Sequence, residues 1–325
     1  MKKILVITNE KDHLISGLFQ KYLSKNDDFI IFNIDLIQKN LLTISQDFFE
    51  LNGLKITIKS INLIWYRRLD FLESSMILKN LIHLEKVPID EALFMYSEYK
   101  QLLLGLLHLL KDTPTINHID IFYNSNYKIS NFERAKEIGF NVPSSIISND
   151  ICKIEEFGNK YLWNVVLKTF FTTTYKKDSI EYYVPVKKIS RDDFNHSKNL
   201  IRSFPICLQQ YIEKQFELRI VVIGKEIFPF AIYSQEHESS KIDFRIDDLS
   251  KLKHKLIEIP EYLIRFIVQY VSDYQIDFCS FDIVFTPNNE YYFLECNLDG
   301  EWYWIEDITG VKLTDRIWSL INSKL

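Results

Sequence analysis

Glycine is scarce in this chain: it accounts for 8 of the 325 residues, where about 7% is usual. A phosphate-binding loop would therefore have to rely on hydroxyl and lysine side chains more than on glycines. No uninterrupted apolar run approaches the ~20 residues of a membrane-spanning helix. The first ten residues hold only four consecutive apolar ones, too few for a secretory signal. The sequence predicts a cytoplasmic protein with no membrane segment.

An excess of positive charge and paired cysteines are also absent. The formal net charge is -5, so the overall field gives no reason to expect a nucleic-acid partner. None of the four cysteines forms a CxxC pair, and we expect all four to be reduced and buried. They are Cys152, Cys207, Cys279 and Cys296.

At roughly 100–200 residues per domain, the length predicts two or three domains. Strands that alternate with helices over residues 1–120 indicate an α/β unit with a mainly parallel sheet. We predict a long helix over residues 90–111 with Asp90 as its N-cap. Farther along, we predict a strand over 180–186 and a mobile polar loop over 234–255.

Two segments near the C-terminus, residues 278–285 and 291–297, alternate apolar and polar side chains as half-buried strands do. Turn residues separate them and predict a hairpin. Pairing around a four-residue loop places Asp282 opposite Glu295, and Ser280 opposite Asn297. Opposed carboxylates repel, and a hard cation between them would remove that cost. Carboxylate and amide oxygens suit Mg²⁺, which completes its shell with water and phosphate.

Basic residues elsewhere in the chain can be interpreted either as phosphate-binding groups or as ordinary surface charges. Lys128 and Lys168 could clamp phosphate, although a lysine that ends an apolar strand, as Lys168 does, is more often a snorkelling surface residue. Glu217 and Arg219 share one face of a strand; they fit either a surface ion pair on an edge strand or a cleft that holds ribose and phosphate. Arg245 is a lone basic residue in the polar loop.

Taken together, these residues resemble the ATP-grasp superfamily, and most closely the ligases that crosslink graspetides (microviridin-type peptides). The resemblance covers nearly the whole chain. The matching motifs lie at residues 65–68 (WYRR), 126–143, 293–297 (FLECN), 300–306 (GEWYWIE) and 309–310. Thr172 to Thr174 stand where many members of the superfamily have glycines.

The resemblance implies an α/β ATP-grasp fold of three subdomains, residues 1–120, 121–205 and 206–325, with the nucleotide between the last two. It also implies a role for each matching residue. Lys128 and Lys168 would contact the phosphates of ATP, Gln210, Tyr211 and Ile212 would form the adenine hinge, and Glu217 would contact the ribose. Arg219 and Arg245 would neutralise the transferred phosphate. Asp282, Glu295 and Asn297 would bind two Mg²⁺ ions.

The activity implied by the resemblance is ATP-dependent macrocyclisation of a ribosomally made precursor peptide that carries a leader. An Asp or Glu side chain of the peptide is phosphorylated and then joined to a Ser or Thr hydroxyl as an ester, or to a Lys amine as an amide. Two other functions stay open: an ATP-grasp ligase that adds amino acids to a protein or small molecule, and a non-catalytic nucleotide-binding relative. Aromatic residues are frequent, with 24 Phe and 18 Tyr, and would permit an apolar homodimer interface.

The acidic start of a predicted helix over residues 191–203 could hold the leader peptide. Asp192 and Asp193 lie beside the predicted strand 180–186, and a strand edge with an acidic helix can bind an extended or basic peptide. The alternative is a solvated run of charges.

Overall fold

The computed structural model describes residues 3–9, 12, 14–15, 22, 29–34, 41–67, 76–121, 127–170, 174–177, 180–246 and 248–325, with backbone only for 174–177 and 180–183. The chain divides into two compact units. The first comprises Met1–Phe122, Gln275–Phe278 and Lys312–Leu325, and the second comprises Tyr123–Tyr274 and Cys279–Val311. The three-subdomain division stays a prediction. Over the described ranges, no helix has the length and apolar character that a bilayer crossing requires.

The first unit is built on a four-stranded sheet with the order β2-β1-β6-β7, in which all pairs are parallel. Its strands and those of a second, smaller sheet are β1 (Lys3–Thr8), β2 (Phe29–Asn33), β3 (Leu42–Ile44), β4 (Phe48–Leu51), β5 (Leu54–Thr57), β6 (Ile61–Tyr66) and β7 (Thr115–Ile116). Five of the six residues of β1 are buried, as expected of a central parallel strand covered on both faces. The prediction of a mainly parallel sheet is confirmed for this sheet.

The smaller sheet is antiparallel, with the order β3-β4-β5. Of its strands the sequence predicts only β5, from the alternating segment 54–58. Two helices, α1 (Met76–His83) and α2 (Ile89–Leu109), follow β6. The predicted N-cap of the long helix is wrong: the cap is Pro88, and Asp90 lies in the first turn. Proline suits this place because the helix start needs no backbone donor there, and the acidic first turn complements the helix dipole.

The second unit begins with a four-stranded antiparallel sheet of order β12-β9-β13-β8. Its elements, with a separate β10–β11 hairpin, are α3 (Lys128–Ile138), β8 (Ser145–Ser148), α4 (Ile151–Lys160), β9 (Val165–Lys168), β10 (Thr174–Lys177), β11 (Ile180–Tyr183), β12 (Lys187–Lys188), α5 (Arg191–Ser203) and β13 (Ile206–Gln210). One face packs on α4 and α5 through a buried cluster of Ile154, Val165, Phe194, Ile201 and Leu208. The opposite face carries Cys207 and Lys168, which are paired across the ladder.

A five-stranded sheet of order β16-β15-β14-β17-β18 completes the second unit. Its strands and helices are β14 (Phe216–Ile223), β15 (Glu226–Ile232), β16 (His254–Leu256), α6 (Glu261–Asp273), β17 (Phe278–Phe285), β18 (Tyr291–Asn297) and α7 (Tyr303–Thr309). The backbone of Phe293 donates to the carbonyl of Asn141 at 2.8 Å, which ties the end of α3 to β18. The last helix, α8 (Leu313–Lys324), belongs to the first unit.

Three predictions from the sequence are corrected here. The strand predicted over 180–186 ends at Tyr183. The segment 234–255 is not an irregular loop: it holds four short 3₁₀ turns and enters β16, with Ser234 and Ser240 fully buried. All four cysteines are free, but Cys152 is exposed, whereas the other three are buried. Cys152 lies in the first turn of α4, a solvent-facing position that the sequence did not distinguish.

Candidate active site

The β17–β18 hairpin brings three polar side chains together. Asp282 pairs with Glu295, and Ser280 with Asn297, as predicted. The amide of Asn297 donates to Asp282 Oδ2 at 3.0 Å and to Glu295 Oε1 at 3.3 Å. One amide therefore spans the two opposed carboxylates and holds them on the same face of the sheet.

The turn of this hairpin differs from the prediction. Strand pairing ends at Phe285 and Tyr291, and the backbone of Thr286 donates to the carbonyl of Glu290 at 2.9 Å. The loop thus has one residue more than the predicted four. A β-bulge between Ile283 and Asp282 shifts the register by one residue, so the carboxylates still face each other. The predicted opposition is confirmed, but it depends on a bulge that the sequence does not reveal.

Each carboxylate has its own cationic partner. Arg219 Nη1 donates to both oxygens of Asp282, at 2.7 and 2.9 Å. Lys128 Nζ lies 2.8 Å from Glu295 Oε2. Burial raises the pKa of Asp282 although Arg219 opposes this. Burial would also raise the pKa of Glu295, but Lys128 and Lys168 outweigh it and hold that pKa far below its usual range.

Lys168 ends β9 and is half-buried, so it is not a snorkelling surface residue. Burial lowers its pKa to about 8, and the positive charges of Lys128 and Arg245 add to this effect. Glu295 opposes the shift. The structure thus brings Lys128, Lys168 and Arg245 into one electrostatic cluster around the hairpin carboxylates.

Arg245 is not the lone basic residue that the sequence suggested. Its Nε donates to Asp243 Oδ1 at 2.8 Å and its Nη2 to Asp243 Oδ2 at 2.9 Å. The charge of Arg245 also contributes to the lowered pKa of Glu295. Asp243 was not among the predicted site residues, although an acid two residues before Arg245 is a signal in the sequence for an ion pair.

Glu217 occupies an interior strand, β14, so the edge-strand ion pair with Arg219 is wrong. Its carboxylate binds Lys214 Nζ and accepts from Ser234 Oγ, and the residue is 5% exposed. Burial raises the pKa of Glu217, and Lys214 opposes the shift. Lys214 also donates to the carbonyl of Ile242 at 3.0 Å. Sequence reasoning missed Lys214, because its partner carbonyl comes from the distant 234–246 segment.

The predicted adenine hinge lines a small cavity of about 180 Å³ together with the turn of the β17–β18 hairpin. The hinge side is formed by Gln210, Tyr211, Ile212 and Glu213. Lys188 Nζ lies 3.6 Å from the centroid of the Tyr211 ring. Burial raises the pKa of Tyr211, and the charge of Glu217 adds to it, so the hinge lies within electrostatic reach of Glu217.

The donor set at the hairpin fits a magnesium ion better than a closed metal cage. Among the described residues, no three His, Cys, Asp or Glu side chains meet as a metal-ligand group. Two carboxylates and an amide leave the rest of a shell to water or phosphate, as Mg²⁺ prefers. Ser280, on the same face of β17 as Asp282, is fully buried and its Oγ has no hydrogen-bond partner in the described part of the chain. An ordered water would satisfy it.

Of the two residues predicted to bind a leader peptide, Asp193 has a structural task. It forms a capping box with Ser190 at the start of α5 and an ion pair with Lys187 at 3.3 Å. Hydrogen bonds from Ser190 lower the pKa of Asp193 to about 2. Asp192 is exposed. Parts of three predicted motifs lie outside the described residues. Thr172 and Thr173, Asn126 and Arg68 are not described, and of Thr174 only the backbone is described.

No profile of a protein family matches the chain, and neither does any curated protein sequence. Among solved structures, it is similar to a RiPP-associated ATP-grasp ligase of Chryseobacterium gregarium in complex with ADP and a leader and core peptide: 27% identity, 100% of this chain and 98% of the other covered, TM-score 0.85. It is also similar to the macrocyclase MdnC of Microcystis aeruginosa, bound with precursor peptide MdnA, at 20% identity, 99% and 100% coverage and TM-score 0.83. The VanG D-Ala:D-Ser ligase of Enterococcus faecalis shares 13% identity over 100% and 99% of the chains, with TM-score 0.61. All three likenesses extend over essentially the whole of both chains.

Proposed function

We propose that this chain, an ATP-grasp ligase of the graspetide synthetase type, is a macrocyclase that joins acidic side chains of a ribosomally made precursor peptide to hydroxyl or amine side chains of the same peptide. The observation that carries the proposal is that each of the two opposed carboxylates in the second unit contacts a cation, Arg219 at Asp282 and Lys128 at Glu295. The charges of Lys168 and Arg245 also act on Glu295. The Chryseobacterium and Microcystis proteins, whose structures contain such peptides, support a peptide as the substrate.

In this proposal the hairpin holds magnesium and the lysines hold the phosphates of ATP. Asp282, Glu295 and Asn297 would bind two Mg²⁺ ions, whose positive charge helps to neutralise the phosphates. Lys128 contacts Glu295 at 2.8 Å, and the charge of Lys168 also acts on that carboxylate. Phosphoryl transfer needs positioning and charge neutralisation more than a protein nucleophile, and these residues offer both.

The remaining nucleotide contacts come from the hinge and from Glu217. Gln210, Tyr211 and Ile212 would line the adenine site through the cavity that they share with the hairpin turn. Glu217 would contact ribose with a carboxylate that Lys214 and Ser234 already orient. The two sheets of the second unit are proposed to be the central and C-terminal subdomains that hold the nucleotide between them.

The reaction has two steps, and the arginines act in the first. A carboxylate of the peptide attacks the γ-phosphorus of ATP and ADP leaves; Arg219 and Arg245 would stabilise the negative charge of the transferring group. A hydroxyl or amine of the peptide then attacks the acyl carbon, phosphate leaves, and the proton of the attacking group passes to the released phosphate or to water. Because both groups belong to one bound peptide, the second step is unimolecular.

The direct test is to incubate the purified protein with MgATP and the precursor peptide encoded beside its gene, and to record the intact mass of the peptide. ATP-dependent loss of one or more water masses is the expected result. Asp282→Asn and Glu295→Gln should abolish it with unchanged circular dichroism. Full activity in both variants would remove the metal-site assignment. An unmodified peptide, with Mg²⁺-dependent ATP binding retained, would favour a ligase that acts on amino acids instead.

The leader peptide is proposed to bind along α5. Asp192 is exposed there and free to meet a basic residue, whereas Asp193 is committed to the capping box. Asp192→Lys should weaken leader binding, measured by fluorescence anisotropy, without lowering the melting temperature. Asp193→Asn is the matched variant. It should lower the stability of α5, because Asp193 belongs to the capping box. Unchanged leader affinity in Asp192→Lys would remove this role.

Two further features complete the proposal. A cytoplasmic location is proposed, since ATP and reduced cysteines are both found there. A second copy of the chain is a proposed partner, supported by exposed apolar side chains along α2.

A further inference from the structure

Asp243 is the acid that contacts both Arg245 and the segment that joins β11 to β12. It is 4% exposed. Its Oδ1 accepts from Arg245 Nε at 2.8 Å and from the Arg245 backbone at 3.2 Å, and its Oδ2 accepts from Arg245 Nη2 at 2.9 Å. The same Oδ2 accepts from the backbone of Val186 at 3.1 Å. One buried carboxylate therefore connects the 234–246 segment to residues that lead into β12.

The backbone around Asp243 is held from other directions as well. Lys214, itself paired with Glu217, donates to the carbonyl of Ile242. The ring of Phe244 packs against Trp304 with centroids 6.4 Å apart. A carboxylate fixed in this way has a defined position, and it can impose that position on a flexible guanidinium.

The side chain that Asp243 constrains is the guanidinium of Arg245. Its side chain is 41% exposed, and an arginine of that exposure has considerable rotamer freedom to lose. Two parallel N–H···O bonds to one carboxylate fix the plane of the guanidinium as well as its place. The charge of Arg245 acts to lower the pKa of Lys168, Asp282 and Glu295. The position in which Asp243 holds Arg245 therefore affects the electrostatics of the active-site cluster.

We propose that Asp243 is the positioning residue of the reaction: it holds Arg245 in the orientation that the transferred phosphate needs and links that orientation to the residues that join β11 to β12. This rests on the proposed function of Arg245. Asp243 touches no reacting atom; it acts through Arg245. The carboxylate contributes geometry and a counter-charge that keeps the guanidinium from collapsing onto Asp282 or Glu295.

A double-mutant cycle tests this assignment. Asp243→Asn keeps an acceptor for the backbone of Val186 but loses the charge and one guanidinium contact. We expect kcat for ADP release with peptide to fall by roughly a hundredfold, as for a misplaced catalytic group, with little change in the KM for ATP. In an Arg245→Ala background, Asp243→Asn should cost no further activity. Multiplying losses would overturn the proposal, because they would indicate an independent role.

Chemical rescue separates positioning from a purely structural role. Millimolar methylguanidinium should restore part of the activity of Arg245→Ala, because Asp243 offers a preformed site for it. The same additive should not rescue the double variant. Equal rescue in both would refute the role of Asp243. The matched control is Asp248→Asn, an acid in the same segment with a side chain that is 53% exposed; its kcat should stay at the wild-type value.

Two readouts keep the outcomes apart. Nucleotide affinity and the melting temperature are measured for every variant, so a folding defect in Asp243→Asn is visible directly, and rescue of Arg245→Ala still tests the intact acid. If Arg245→Ala is fully active, the proposed function of Arg245 fails. If Arg245→Ala is inactive but Asp243→Asn is not, only the positioning role fails.

Discussion

Lys168 lies half-buried at the end of β9, where burial lowers its pKa to about 8. A phosphate clamp needs the charged ammonium. In the nucleotide-free chain the charge is lost above pH 8, whereas bound phosphate would favour the proton, so binding takes up a proton. We expect the Kd for MgATP to be flat below pH 8 and to rise up to about tenfold per pH unit above it. Titration calorimetry from pH 6.5 to 9.5 measures this.

Lys168→Arg is the control for that profile, since a guanidinium keeps its charge over the whole range. Whatever the Kd of this variant below pH 8, its Kd should not rise with pH above 8. The lowered pKa of Lys168 also makes the free energy of unfolding depend on pH. The folded chain releases this proton at lower pH than the unfolded chain, so its contribution to the free energy of unfolding increases as pH rises from about 8 to 10.5. An upward slope that persists in Lys168→Arg would contradict the assignment.

Arg219 makes use of a planar fork that a lysine does not have. Its Nη1 binds both oxygens of Asp282, and its Nη2 donates to the carbonyl of Glu301 at 3.3 Å. A point charge cannot reproduce both contacts. Arg219→Lys should lower kcat for ADP release by about 10²-fold, the usual effect of losing one preorganised donor. Arg265→Lys, at an exposed ion pair on α6, should leave kcat unchanged; equal losses in the two variants would show a nonspecific effect.

The sequence predicts a site residue well when its position follows from a local period. Asp282 and Glu295 belong to a hairpin, so alternation and a turn suffice to bring them face to face. Lys214 and Asp243 could not be found in the same way. Their partners, the carbonyl of Ile242 and the backbone of Val186, depend on the path of the segment of 3₁₀ turns and of the residues between β11 and β12, which no periodicity encodes.

Among the elements, the β17–β18 hairpin is packed most tightly where Gly300 passes it. A Cβ added at Gly300 would lie 2.2 Å from Ser280 Oγ and 2.5 Å from Ser280 Cβ, far inside contact distance. We expect Gly300→Ala to lower the free energy of unfolding by about 1–3 kcal/mol, measured by urea denaturation. Adding Ser280→Gly should restore much of the loss by removing both clashing atoms.

Gly105 is the matched control for that substitution. It lies within α2, and a Cβ there would meet nothing within 4 Å. Gly105→Ala should raise the free energy of unfolding by up to ~1 kcal/mol, because alanine is the better helix former. If both alanine variants destabilise the protein alike, the close approach at Gly300 is not the cause.

The elements differ in how far the sequence reveals them. The helix α5 follows from the pattern of a capped polar helix and lies where predicted, over residues 191–203. The strands β3 and β4 were missed because they have only three or four residues, too short for alternation to stand out. The start of α2 was misplaced because Asp90 fits an N-cap and a first-turn position equally well, and only the backbone decides.

At the scale of the whole molecule, the charges of the proposed active site all belong to the second unit, whereas the first unit presents an apolar helix surface. Met95, Leu102 and Leu109 on α2 are each more than two-fifths exposed. Their spacing of seven residues places them on one helix face. Three scattered apolar side chains would need no explanation, but a stripe along one helix indicates a contact.

A second copy of the chain fits this stripe, because a twofold axis across α2 would let the same three side chains meet their own counterparts. Sedimentation equilibrium should then give about twice the 38.8 kDa of one chain. Leu102→Glu places a charge at the centre of the stripe and should yield monomers with an unchanged melting temperature. Val268→Glu, at a helix position of similar exposure, 49% against 45% for Leu102, should leave the assembly intact. A monomeric wild-type protein, or dimers that persist in Leu102→Glu, would mean that this helix face has another partner or none.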